Sequence, residues 1–170
     1  MRIQGDLTIG KRKYQKGDSI PWYKVYPFFL VHMGAFGISG FAMAYMDDGP
    51  NLLFLFLHGG FACFVYLVFY LALFGVDKVR WMLINAALGL FGIYAQIGWI
   101  LELFGRDVSD YSTIRHVIPF FYYVLYTFLL HQAVLQVTGA SNDPDRRKVV
   151  DGIYVGASVA AYGLIWLMQN

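Results

Sequence analysis

Five long apolar runs alternate with short polar segments along the chain. A helix of about 20 apolar residues, rising about 1.5 Å per residue, covers the hydrocarbon core of a bilayer, so each run predicts a transmembrane helix. The runs are continuous, whereas a membrane β-barrel shows short segments of alternating character. The sequence therefore predicts an all-α, polytopic integral membrane protein, a bundle of five transmembrane helices at about 25–46, 52–76, 79–104, 113–138 and 147–168.

The polar segments define the rest of the organisation. Residues 1–24 form a polar, basic amino-terminal leader that ends near Trp22 and Tyr23, two side chains suited to a membrane interface. The loops between the apolar runs are short, which makes consecutive helices antiparallel neighbours. Residues 25–170 are therefore expected to form a single transmembrane helical bundle.

Composition and charge narrow the class of protein and its orientation. Only 14% of the residues are charged, against about 25% in soluble domains, which excludes an ordinary soluble protein. Eleven of the 13 Lys and Arg residues fall on the amino-terminal side of the bundle, so the positive-inside rule predicts a cytoplasmic amino terminus. Glu102 with Arg106 and Arg147 with Asp151, each four residues apart, predict interfacial salt bridges. We expect the lipid bilayer as a partner, no nucleic acid, and a bacterial inner (cytoplasmic) membrane as the location.

Polar and small residues mark one face of the third predicted helix. Asn85, Gly89, Gly92 and Gln96 recur at spacings of four, three and four residues, which places them on the same face. Small residues let helix backbones approach closely and amides hydrogen-bond across the contact, so we expect this face to point into the protein. Tight helix packing is the favoured interpretation, and a substrate groove is the alternative.

Histidines are the main functional signal of the sequence. The chain has only four, and each lies in or beside an apolar run. On the fourth predicted helix His116, Tyr123, Thr127 and His131 fall within one polar stripe. Ionisable residues inside a membrane are functional candidates by default, although an interhelical hydrogen bond is the simplest role for such a stripe.

The depths of the histidines in the predicted helices suggest two pairs. His32 and His131 both lie roughly 10–12 Å from the cytoplasmic boundary, at about 1.5 Å per residue. His58 and His116 lie toward the outer boundary, at depths that differ by about 5 Å. Two imidazoles from two helices at each of two depths are what a pair of stacked b-type haems would need as axial ligands.

In helix count, histidine depth and histidine spacing, the chain resembles the di-haem membrane cytochromes, such as the anchor subunits of respiratory dehydrogenases. The resemblance matches no sequence motif of that family, and the fourth helix would share its two histidines between two different helices. It implies haem b as cofactor and a quinone as electron partner. The residues it implies at the haems are His32, His58, His116 and His131 as iron ligands and Arg115 beside a propionate.

Three functions follow from these features. The favoured one is a small membrane subunit that transfers electrons through haem. The alternatives are a non-catalytic accessory or assembly subunit of a membrane complex, and a small transporter or channel formed by an oligomer. The transporter would use the intramembrane polar surfaces of Asn85, Gln96, Tyr123 and Thr127. A homo-oligomer or a larger membrane complex is expected in each case, and the sequence assigns no enzymatic reaction.

Overall fold

The computed structural model describes residues 1–169, but not the side chains at 158, 161, 162, 165, 166, 168 and 169. That part of the chain contains six α-helices and one antiparallel two-stranded β-hairpin. The elements are β1 (Leu7–Ile9), β2 (Arg12–Tyr14), α1 (Trp22–Tyr45), α2 (Leu52–Phe74), α3 (Val76–Leu88), α4 (Leu90–Glu102), α5 (Val117–Val137) and α6 (Pro144–Gln169). Short 3₁₀ helices lie at Val108–Asp110, Thr113–His116 and Ala140–Asn142.

Several of these helices are long and apolar enough to cross a membrane. In the described residues they are α1, α2 and the segment Thr113–Val137, and the pair α3 and α4 adds a fourth if it counts as one bent span. This confirms the predicted all-helical fold, and the three helices are consistent with an integral membrane protein. The predicted helices at about 25–46, 52–76 and 113–138 match α1, α2 and this third segment, and the one at about 147–168 falls within α6.

The chain divides into two compact units, Met1–Leu129 and Leu130–Asn170. In the first unit, glycines bring the long helices together. Gly40 of α1 lies against the ring of Tyr122, and Gly59 of α2 lies against Ile118, so closely that a Cβ at either glycine would overlap its neighbour. Close approach of these helices therefore depends on residues without side chains.

The third predicted helix, at about 79–104, is not continuous. It breaks at Gly89 into α3 and α4, which are bent by 71°. Glycine is a poor helix former, and kinks concentrate at glycines, so Gly89 and Gly92 weaken the helix where the polar face was expected. The expectation that this face points into the protein is wrong for Asn85 and Gly92, which are exposed.

The amino-terminal leader is a folded element. β1 and β2 pair in register from Leu7 opposite Tyr14 to Ile9 opposite Arg12. Gly10, with a φ of 60°, occupies the first position of the two-residue turn, and Lys11 keeps a negative φ, as in a type II′ turn. The polar and basic composition of this segment predicts only a leader, whereas the structure contains a hairpin there.

Candidate functional site

A large apolar cavity lies within the first unit, between α1, α4 and α5. Its volume is about 850 Å³, and its wall includes Gly34 and Gly37 of α1, Leu101 of α4 and Tyr126 of α5. Gly34 lies against the ring of Tyr126, whereas a Cβ at Gly37 would meet nothing within 4 Å. The missing side chain at Gly37 therefore leaves part of this space open.

The wall of the cavity reaches the outside of the unit and carries few polar groups. Ile38 belongs to the wall and is 75% exposed on α1, one of the helices able to span a membrane. Tyr122 also belongs to the wall, and its buried hydroxyl has no hydrogen-bond partner in the described residues. The cavity is thus a largely apolar space between helices, two of which belong to segments able to span a membrane.

At one end of the cavity Arg106, in the segment between α4 and α5, forms hydrogen bonds with the carboxyl end of α1. Its Nη1 donates to the Tyr45 carbonyl at 2.7 Å and to the Tyr111 hydroxyl at 2.7 Å. The guanidinium also donates to both carboxylate oxygens of Asp47 at 2.8 Å, so among the described residues its ion-pair partner is Asp47 and not the predicted Glu102. These bonds lower the pKa of Asp47 and raise the pKa of Arg106. A cation at the carboxyl end of a helix also complements the helix dipole.

His116 is buried beside this cluster. Its Nδ1 lies 2.7 Å from the Tyr45 hydroxyl, and only 4% of the residue is exposed. The ring of Tyr94 meets the imidazole edge-on at a centroid distance of 5.3 Å. Its Nε2 is buried with no hydrogen-bond partner in the described chain. Arg115, predicted to lie beside a haem propionate, donates to the Ala44 carbonyl at 3.0 Å.

His131 lies in the second unit, where it meets a carboxylate. Its Nε2 is 2.7 Å from Oδ1 of Asp151, and Oδ2 of that carboxylate is 3.6 Å from Nε of Arg147. The ring of Tyr154 packs on the imidazole at a centroid distance of 5.2 Å. The predicted ion pair of Arg147 with Asp151 is confirmed. Its third member, His131, was missed because 20 residues separate it from Asp151.

His32 and His58 are both exposed and contact aromatic rings. The imidazole of His58 stacks on Phe54 with an interplanar angle of 7°, and that of His32 lies 4.2 Å from the ring of Phe28. No ring contact or hydrogen bond joins His58 to His116 in the described chain. The pairing of His32 with His131 would join the two units and stays a prediction.

Of the remaining predicted polar residues, the structure brings Gln96, Tyr123 and Thr127 together. The Tyr123 hydroxyl donates to Oε1 of Gln96, an interhelical hydrogen bond between α5 and α4. The Thr127 hydroxyl donates to the Tyr123 carbonyl one turn earlier at 2.8 Å. Asn85, exposed on α3, lies outside this group. The polar stripe of α5 therefore serves at least in part to hold helices together.

None of the four histidines lines the cavity as far as the chain is described. Within the same residues, no three His, Cys, Asp or Glu side chains lie close enough together to hold a metal ion. In comparisons with known proteins, the chain matches no family model, no curated protein and no solved structure.

Proposed function

We propose that this protein is a small integral membrane protein that binds a lipophilic carbonyl compound of the quinone class in the cavity between α1, α4 and α5. The observation that carries the proposal is the cavity itself. Its volume of about 850 Å³ is within the range of about 300–1,000 Å³ typical of ligand pockets. Its wall lies on membrane-spanning helices, so its occupant is expected to come from the bilayer.

The polar groups of the cavity favour a neutral ligand. Arg106 is the cationic group in its wall, and Asp47 holds that guanidinium through two hydrogen bonds. The pair carries no net charge, so an anionic head would have to displace a carboxylate. Tyr126 of the wall is 36% exposed, and its hydroxyl is a hydrogen-bond donor for which a quinone carbonyl is an acceptor.

A binding measurement on two matched glycine variants tests the proposal. In Gly37→Phe the new ring enters the open space, so the purified protein in nonionic detergent should lose binding of a decyl-chain benzoquinone, read as tryptophan quenching. Gly60→Phe is the control, because a Cβ at Gly60 also meets nothing within 4 Å and this glycine is not in the cavity wall. Tyr126→Phe should weaken binding by the worth of one hydrogen bond, about 0.5–1.5 kcal/mol.

Three outcomes would count against the quinone proposal. Equal binding by both phenylalanine variants would mean that the ligand sits elsewhere. Equal binding of a decyl compound without carbonyls would mean that the cavity holds any apolar chain. If the protein co-purifies with a stoichiometric partner protein and binds quinone only after the partner is released, the partner is the occupant of the cavity. That result would favour the accessory-subunit hypothesis instead.

The proposed topology has five spans, with α3 and α4 as one broken span and a cytoplasmic amino terminus. Its support is the excess of basic residues on that side and one contact in the first unit. The backbone amides of Gln4 and Gly5 donate to the Ala72 carbonyl, at 2.8 and 2.9 Å. The leader therefore lies beside the carboxyl end of α2, which is followed by the basic residue Lys78, so both basic segments belong on the same side of the membrane.

Cysteine labelling tests this topology. In a Cys63→Ala background, a membrane-impermeant maleimide should label Asp48→Cys in intact cells and should leave Lys11→Cys unlabelled. A tag placed after residue 170 should be accessible from outside if α6 spans the membrane. Labelling at Lys11→Cys would reverse the orientation, and a protected tag would reduce the number of spans to four.

Haem binding is the second candidate, and the buried Nε2 of His116 is the observation that favours it. An imidazole whose Nδ1 is held by a hydroxyl and whose Nε2 has no partner has the arrangement of a metal-ligating histidine. Protein purified from haem-sufficient cells should then show sharp reduced absorption bands that disappear in His116→Ala. A colourless preparation would remove this candidate.

A further inference from the structure

The leader presents an exposed basic surface, which we call the basic leader surface: Arg2, Lys11, Arg12, Lys13, Lys16 and Lys24. The hairpin carries three of these six residues, and the segments on either side of it are held by buried contacts. Ile3 and Ile20 are buried almost completely, and the amino-terminal ammonium group donates to the Ile20 carbonyl at 2.7 Å. The basic side chains therefore occupy a defined place on the protein.

That place is at the boundary of the hydrocarbon core. The amides of Gln4 and Gly5 donate to the Ala72 carbonyl in the last turn of α2, whose 23 residues rise by about 35 Å, slightly more than the core thickness. A Cβ at Gly5 would lie 3.2 Å from the Ala72 Cα, so glycine permits this close docking. Exposed Trp22, where α1 begins, is of the type that anchors helices at the interface.

The charges of the basic leader surface are not neutralised within the protein. None of its six cations takes part in an ion pair in the described chain. The two acidic residues of the leader accept backbone bonds, Asp6 from the Lys16 amide and Asp18 from the Gln15 amide. By contrast, Arg146 pairs with Asp143 and Lys148 with Asp145 in the second unit.

We propose that the basic leader surface binds the anionic phospholipid headgroups of its own leaflet. Charges within one Debye length of that surface, about 8 Å at physiological salt, act on the headgroups with little screening. Phosphodiester headgroups are the partner because they are the anions at this level of the membrane. This inference needs α2 to span the membrane and does not depend on what fills the cavity.

Lipid titration followed by native mass spectrometry tests the proposal. Purified protein in nonionic detergent is titrated with dioleoyl phosphatidylglycerol and, separately, with dioleoyl phosphatidylcholine. One basic residue near an anionic surface is worth about fivefold in affinity, so Lys11→Gln/Arg12→Gln should lose roughly 30-fold for phosphatidylglycerol. Arg146→Gln/Lys148→Gln makes the same change in charge at ion-paired positions, and its affinity should stay within about twofold of the parent.

A second variant separates the position of the hairpin from its charge. Gly5→Val keeps every cation but disturbs the docking on α2, and it should weaken phosphatidylglycerol binding while the secondary structure measured by circular dichroism is retained. The proposal is overturned if the parent binds both lipids equally, if the two double variants lose affinity equally, or if Gly5→Val binds like the parent. Tighter binding of an oligonucleotide than of phosphatidylglycerol would also overturn it, since the surface would then serve a soluble polyanion.

Discussion

The contact of Tyr45 with His116 provides the sharpest test of how this protein is held together. Tyr45→Phe removes the hydroxyl 2.7 Å from His116 Nδ1 and keeps the ring that packs on Phe41 and Tyr111. Nε2 of the same imidazole already has no partner in the described chain. The substitution therefore leaves Nδ1 of a 4% exposed imidazole without the hydroxyl that it contacts.

The expected cost lies between two known limits. A buried polar group left unsatisfied costs about 1–3 kcal/mol, whereas interhelical hydrogen bonds inside membranes average only about 0.6 kcal/mol. The membrane value is small because an unfolded helix in lipid finds other partners. His116 lies at the end of its span, beside loops, where water solvates it once the helices separate. We therefore expect Tyr45→Phe to lower the free energy of unfolding by about 1–2 kcal/mol.

Equilibrium unfolding in mixed micelles, with a rising fraction of dodecyl sulfate and detection by near-ultraviolet circular dichroism, measures this loss. Tyr23→Phe is the matched control, since Tyr23 is 59% exposed, and its stability should stay within about 0.5 kcal/mol of the parent. In a His116→Phe background, Tyr45→Phe should cost almost nothing. The reasoning is refuted if Tyr45→Phe matches Tyr23→Phe, or if its cost is the same with and without His116.

Two further predictions concern packing and charge. Gly40→Ala should destabilise the protein by about 1–3 kcal/mol, because the new methyl group overlaps the buried ring of Tyr122, whereas Gly37→Ala in the same helix should leave micelle unfolding unchanged or make the protein more stable. Because Arg106 lowers the pKa of Asp47, this pair should stabilise the protein fully above the ordinary pKa of about 3.9 and lose its effect as the pH falls through the lowered value. Thermal midpoints between about pH 6 and 3 should show this loss in the parent and not in Asp47→Asn.

Hydrophobicity alone predicted most of the long helices. α2 begins at Leu52 as expected, and α1 begins three residues before the expected start, because runs of this length have no other stable structure in lipid. The hairpin has a local signal in the sequence. Leu7, Thr8 and Ile9 alternate and are followed by Gly10, the residue that a type II′ turn requires at its first position.

The break at Gly89 shows why spacing alone was insufficient for the third helix. Glycines at spacings of three and four residues fit a packing face, but each also removes side-chain support from the helix. Which effect dominates depends on whether a neighbouring helix covers the face. Gly40 and Gly59 are covered by Tyr122 and Ile118, while a Cβ at Gly92 meets nothing within 4 Å. That difference is set by tertiary packing, which the sequence pattern does not contain.

The histidines show the same limit at the level of chemistry. The sequence predicts that an imidazole in an apolar run needs a polar partner, but it does not identify that partner. The partner of His116 is a tyrosine 71 residues away. A hydroxyl on Nδ1 suits both a structural histidine and a metal ligand, and the two roles differ in what Tyr45→Phe changes. If the imidazole is only structural, the variant loses stability alone. If it is a haem ligand, loss of this supporting bond should also weaken cofactor binding by about 10–100-fold, so titrating haem into both proteins separates the two roles.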